Sequence, residues 1–464
     1  MQQVIKNFNF QFKFFFENKY LIIFLFTTHI FFWSFKIGNF QFRYLIFILA
    51  IPAFFKILDD IKKKNYFSIK AFFTFSIFII SHYFLNIIYD KVSIDFISIY
   101  SFFALSSIFF ISYYYGEIFL VNKKIIFILI FTLFFLSTII SIFLYKNDSP
   151  FFCGFVLDYF KYFDFYYDFN GKFAAVDPFK KLNLSYKEFF FNENSHLAMV
   201  FTSVFFSLLY LILQKKISIF FIICSIIFFI ICYIKSSTTF FLSSFLIGIF
   251  FSIIFIILKK TYRIKFRTIF IFFFIGVFSL LILISFEECR NRLGFINNIF
   301  NKNQTNHNIN LDKKYDFNLD IKFFKSLPSV SSKIGNNLIS MIPQLIKDKP
   351  FGWGWNRMEH AFLKYNKNSL LAKYNNKDGA SNAIKLLFEF GILSLIFYIF
   401  VFYYCFQKKV PIENKIFLVS FIISQSIRGA GYFNGGFILI CFLIFFDYLK
   451  YNLYLKNQIK IISK

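Results

Sequence analysis

Apolar runs of about twenty residues recur along this chain, and a helix rising 1.5 Å per residue needs about that length to cross roughly 30 Å of hydrocarbon. Twelve such runs stand near residues 20–35, 42–58, 68–89, 94–114, 125–145, 195–213, 217–234, 237–258, 268–286, 383–406, 414–428 and 436–453. They predict an all-α, polytopic integral membrane protein. Composition points the same way: of 464 residues, 58% are hydrophobic and 16% charged, a balance that one soluble core could not hide. The expected order is five helices in 1–145, a loop at 146–194, four helices in 195–286, a larger loop at 287–381, and three helices with a tail in 382–464.

The formal charge of +27 raises the question of nucleic acid. The basic residues come instead in short clusters between apolar runs, with no single basic face, so nucleic acid is not an expected partner. Lys62–Lys64, Lys123–Lys124, Lys215–Lys216, Lys259–Arg267 and Lys408–Lys415 occupy alternate connections, while the intervening short ones hold only Lys36, Arg43, Lys91, Lys235 and Arg428. Cations gather on the cytoplasmic side, so both termini are placed inside and both long loops outside. The start of the chain shows no small-residue cleavage site before the first apolar run, which predicts an uncleaved first helix.

Cys224, Cys232, Cys405 and Cys441 lie in apolar runs, Cys153 and Cys289 in polar loops, and no CxxC occurs. With HExxH, P-loop and dinucleotide patterns also missing, neither a metal nor a cofactor is expected. Few ionisable residues fall within the runs, chiefly His29, His82, Glu389 and Asp447, and they suggest no proton relay. Chemistry is therefore expected at the outer face.

Of 51 basic residues only seven are Arg, and Phe is inflated to 85, the pattern of an AT-rich genome. In a chain where Lys is the default cation, a retained Arg suggests a need for planar, two-pronged binding of phosphate. Arg290, Arg292, Arg357 and Arg428 fall on the predicted outer side. A loop salt bridge would explain any one of them equally well.

The segment Pro350-Phe-Gly-Trp-Gly-Trp-Asn-Arg-Met-Glu-His360 is the densest chemical cluster. Gly352 and Gly354 permit a tight turn or close approach to a ligand, and Trp353 and Trp355 offer flat apolar faces suited to sugar rings. The bland alternative is a structural turn whose indoles anchor at headgroup level. Before it, Leu338, Ile342, Leu345 and Ile346 predict an amphipathic helix ended by Pro350. In the first outer loop, Phe155, Tyr159, Tyr162, Phe163, Tyr166 and Tyr167 have helical spacing, fitting a helix on the bilayer surface or a carbohydrate face. Asn194 and His196 enter the sixth run, and Lys235 begins the Lys-Ser-Ser-Thr-Thr hairpin.

The order of these features resembles the O-antigen ligase/polymerase family of bacterial envelope proteins. Asn194 to Ala198 matches its Asn-x-His-Leu-Ala-like opening of a middle span, and Pro350-Phe-Gly-Trp-Gly is similar to its Pro-x-x-Gly-x-Gly turn. Ala380-Ser-Asn-Ala-Ile-Lys-Leu-Leu-Phe-Glu-Phe-Gly391 resembles the polar run with an acid and a Gly that follows. The likeness spans roughly residues 190 to 436. Thr238 stands where the family has a hairpin Arg, and Ala380 or Ser381 where ligases have a His used in catalysis.

The resemblance implies a GT-C-like glycosyltransferase at the outer face of the inner membrane. It would be inverting and metal-independent, and would polymerise undecaprenyl-diphosphate-linked oligosaccharide repeat units. Arg290, Arg292, Arg428, Trp353, Trp355, His196, Asn194 and Lys235 would bind the lipid-linked substrate. Arg357, Glu359 and His360 would carry catalysis, with Asp378 and Glu389 as further candidates for the general base. Membrane lipid and a chain-length regulator protein are the other expected partners. The alternatives are a ligase onto the lipid A core and a transporter or flippase of lipid-linked sugars. A transporter should line a central cavity with cations, and spans one to five contain no such run.

Overall fold

Asn18 opens the first helix by turning its side-chain oxygen back onto the free N–H groups of Tyr20 (2.9 Å) and Leu21 (3.4 Å). Helix α1 (Lys19–Ile30) leads to a small antiparallel ribbon, β1 (Lys36–Ile37) with β2 (Phe40–Gln41), in which Lys36 opposes Gln41 and Ile37 opposes Phe40. A 3-10 turn (Phe42–Leu49) runs into α2 (Ala50–Lys62), and α3 (Phe67–Asp90) and α4 (Phe96–Val121) follow. A helical segment over 341–348 precedes α5 (Met358–Tyr365), α6 (Asn382–Phe390), α7 (Leu393–Phe406), α8 (Ile412–Ile427) and α9 (Phe437–Ile462). The computed structural model describes residues 18–33, 36–37, 40–90, 96–126, 341–365, 381–407, 410–427, 429 and 431–462, with isolated residues in 128–132 and 204–214 and at 250, 254 and 339.

The described part is mainly helical, as an all-α chain requires. Two stretches, Phe67–Tyr89 (23 residues) and Phe96–Val121 (26 residues), are long and apolar enough to cross a membrane. Their outward residues include Phe73, Ile77, Phe84, Leu85, Ile88, Phe96 and Phe103, large side chains of the kind that lipid covers. α1 and α7 are apolar but shorter. The run expected to be one span over 383–406 is two helices, broken at Gly391, whose φ of 54° no continuous helix can contain. The runs from 125 to 286, and the loop 146–194 with its aromatic helix and Cys153, lie almost wholly outside the described residues, as do 287–338 with Cys289.

α4 is the hub, touching α1, α2, α3 and α9. Phe109 sits at its centre, with ring centroids 5.2 Å from Phe72 of α3, and 5.2 Å and 4.9 Å from Phe442 and Phe446 of α9. Edge-to-face rings at this spacing add about 0.5–1.5 kcal/mol per pair beyond area burial. α4 approaches α9 closely because Gly116 has no side chain; a Cβ there would stand 2.6 Å from Leu443 Cδ2.

The connections sort into two ends. At one, the Tyr114 hydroxyl donates to Asp60 (2.6 Å), Lys123 pairs with Glu413 (3.7 Å), and Lys450 pairs with Glu117 (3.3 Å). Lys415 there donates to the carbonyls of Cys405 (2.8 Å) and Gln407, groups that the end of α7 leaves open. At the other end lie Trp33, Arg43, the last turns of α3, the 350–357 turn, both ends of α6 and the α8–α9 connection. The first is the lysine end and the second the turn end. Substituting Gly116→Leu should overpack the α4–α9 contact and cost about 1–3 kcal/mol. A double-mutant cycle by thermal unfolding in detergent should show Leu443→Ala recovering part of that loss; strictly additive effects would separate the two residues.

Candidate functional site

The turn end is built on backbone contacts. Gly352 (φ 81°), Gly354 (φ 99°) and Asn356 (φ 58°) take left-handed conformations that fold Pro350–Arg357 into a tight loop. That loop lies across the C-terminus of α6. The Trp353 N–H donates to the Phe388 carbonyl (3.0 Å) and the Gly354 N–H to the Glu389 carbonyl (2.8 Å), while the Ile392 N–H donates to the Pro350 carbonyl (2.8 Å). The carbonyls that a helix end would leave without partners are thus used to seat the loop. Only glycine permits this approach: a Cβ on Gly352 would run into the Glu389 carbonyl, and one on Gly391 into that of Pro350.

α3 holds the other side of the loop. Nε2 of His82 donates to the Phe351 carbonyl (2.7 Å), and its ring stacks on Phe390 at 5.1 Å. Tyr83 lies beneath the guanidinium of Arg357, 5.0 Å from Cζ to the ring centroid. Arg357 is 0% exposed. A cation over an aromatic face away from water gains roughly 2 kcal/mol, enough to fix the side chain's direction but small against full desolvation of a charge.

Glu389 on α6 is also buried, with Lys385 one turn earlier at 3.8 Å. Its carboxylate lies near the Tyr432 hydroxyl and the backbone of Asn356 and Met358 at the start of α5. Lys385 sits over the Tyr432 ring at 5.0 Å, and Tyr432 stacks on Trp355 at 5.1 Å.

At its other terminus α6 latches the α8–α9 connection. Ser381 caps the helix by accepting from the Ile384 N–H (3.3 Å) and donates to the Ser426 carbonyl. Asn382 accepts from the Gly431 N–H (3.2 Å) and donates to Gln425 (3.4 Å), which donates to the Gly435 carbonyl (2.6 Å). Arg43 from the β1–β2 side reaches Asn434. One nine-residue helix therefore joins two loops through its two ends.

Arg357, Glu359, His360, Trp353 and Trp355 are brought together on this turn. Glu359 and His360 are half-buried in the first turn of α5. Trp353 and Trp355 are 5% and 4% exposed, the first packed on Met341, Leu345, Met358 and Phe388, the second donating its indole N–H to Ser101 (2.9 Å). In this arrangement both indoles serve as struts between elements. Arg290, Arg292, Arg428, His196, Asn194, Lys235 and Asp378 lie outside the described residues. Sequence reasoning missed Tyr83, Lys385, Asn382 and Gln425; the Lys385–Glu389 spacing of one helical turn was a readable signal, whereas the others act across large separations. Among the described residues no group of three or more His, Cys, Asp or Glu side chains could hold a metal ion.

No protein-family model matches the chain, and neither does any curated protein or solved structure.

Gly391→Ala places a side chain at φ 54°, ψ −135° and against the Pro350 carbonyl. It should destabilise the protein by at least about 1–3 kcal/mol, whereas Phe351→Ala, at an exposed position, should be near neutral. Melting midpoints of the two purified variants measure this directly. Equal midpoints would mean that the seat can shift at little cost.

Proposed function

We propose that the protein is a multi-pass membrane glycosyltransferase acting at the outer face of the bacterial inner membrane, where it joins undecaprenyl-diphosphate-linked oligosaccharide repeat units into a surface polysaccharide. Twelve spans, a GT-C-like architecture and cytoplasmic termini belong to this reading, with the turn end outside and the lysine end inside. Membrane lipid surrounds the bundle, and a chain-length regulator protein is its partner.

The observation that carries the reading is Arg357. In a chain with few Arg, this one is fixed without exposed surface on a glycine turn where several loops meet. Transfer from a lipid diphosphate needs positive charge where the leaving group's negative charge develops. A buried guanidinium supplies it as a fixed field, worth about 1–2 kcal/mol at roughly 10 Å with an effective dielectric of about 20. That is about tenfold in rate. Glu359 or His360, half-buried on the next helical turn, would take the proton of the acceptor hydroxyl as its oxygen attacks the anomeric carbon. Glu389, held inside against Lys385, fits the role of foundation for the turn.

A strain lacking the gene should carry a single repeat unit on its lipid core. A strain with no glycan and accumulated lipid-linked polymer would identify a ligase, and an unchanged glycan ladder on gels would overturn the transferase reading altogether. Arg357→Gln should shorten the polymer at unchanged protein level, with Arg357→Lys falling between it and the wild type. Wild-type polymer length in the Gln variant would remove Arg357 from the mechanism.

A further inference from the structure

The loop that carries Arg357 meets α3 and α4 well below their ends. Nε2 of His82 donates to the Phe351 carbonyl (2.7 Å), Tyr83 lies under Arg357, and the Trp355 indole donates to Ser101. His82 stands seven residues before Tyr89, where the apolar stretch of α3 ends, and at 1.5 Å per residue that is about 10 Å down the helix. Ser101 is five residues into α4, about 7 Å by the same rise. A helix tilt of about 20° shortens these depths by less than about a tenth. Nζ of Lys349, two residues before Phe351, reaches back to the Tyr89 ring at the helix end (4.7 Å), as a lysine does when its backbone lies deeper than its charge.

Backbone at that depth has no water to bond, so the protein itself must close it. In this loop the N–H groups of Gly352, Trp353, Gly354 and Arg357 all donate to backbone carbonyls, and His82 closes the Phe351 carbonyl. The polar side chains at this level, His82, Asn86, Arg357 and Glu389, are buried in the protein. Phe351 is 60% exposed, and Phe78 and Leu85, one turn before and one turn after His82 along α3, are exposed as well. We infer that the 350–357 turn is a re-entrant element seated inside the leaflet at the turn end, and that the Phe351 side chain packs against the acyl chains of that leaflet's phospholipids. The exposed apolar face of α3, which begins toward the lysine end at Phe73 and Ile77, thus continues onto the loop. A ligand carried on a hydrocarbon chain would meet the turn from the side, without leaving the bilayer. This inference rests on α3 and α4 crossing the membrane and not on the transfer chemistry.

Fluorescence of the full-length protein in phosphatidylcholine nanodiscs tests this. The native indoles of Trp33, Trp353 and Trp355 are buried, so Phe351→Trp and Phe73→Trp each add one exposed reporter to a shielded background. The emission added by Phe351→Trp should be blue-shifted, should be largely lost when the acyl chains carry bromine, and should respond little to iodide in the buffer. Phe73→Trp should behave in the same way. Benzoylphenylalanine in place of Phe351 should crosslink to phospholipid on illumination, which reads the same contact without an added indole. Quenching of Phe351→Trp by iodide and not by bromine, beside bromine quenching of Phe73→Trp, overturns the re-entrant seat while leaving α3 in the membrane. In that case the glycan ladder of the deletion strain still tests the transferase separately. Bromine quenching at neither position overturns the seat together with the membrane-spanning reading on which it rests.

Discussion

Backbone pressed on backbone at Gly352 and Gly391 is the contact on which the turn end depends. The last carbonyls of α6 have no partners within their own helix, and in an apolar surrounding each would cost several kcal/mol if left open. The N–H groups of Trp353 and Gly354 close them. The same two hydrogen bonds fix the loop that carries Arg357, so the helix end and the cation cluster are one structure. Any side chain at Gly391 or Gly352 disrupts both.

Around that seat, the bundle supplies rigidity from the side opposite to α6. α4 packs on four neighbours, and α3, resting on α4, brings His82, Tyr83, Asn86 and Tyr89 to the loop's outer surface. Asn382 and Gln425 then fasten the α8–α9 connection to the other end of α6. All three Trp of the chain stand at this end: Trp33 beside Gly435, Trp353 among the lysines, and Trp355 against Tyr432. Among the described residues the lysine end is held instead by side-chain pairs, the largely buried Lys123–Glu413 and the more exposed Lys450–Glu117, the latter individually weak.

Much of this was readable from hydropathy and length. Runs at 68–89, 94–114, 414–428 and 436–453 fall on α3, α4, α8 and α9, because twenty apolar residues leave a helix few alternatives. The break inside 383–406 was hidden, since apolar residues continue on both sides of Gly391 and the reason for the glycine lies at Pro350. Gly352 and Gly354 announced a turn, but the surface it sits on could not be read from spacing. The indoles could be read from sequence either as open faces for sugars or as anchors of a turn, because composition carries no information about burial; in the structure both are buried. Arg357 stood out by scarcity, although its place over Tyr83 depends on a contact far along the chain.

The proposed transfer sets the rigid turn that carries Arg357 beside a lipid diphosphate at the turn end of the bundle. A cryo-EM map of the full chain in nanodiscs, prepared with a prenyl-diphosphate lipid, tests this most directly. Density for the two phosphates at the turn end, near an undisturbed 350–357 loop that carries Arg357, is the expected result. Phosphates bound at the lysine end, or a loop lifted off α6 to receive them, would contradict it.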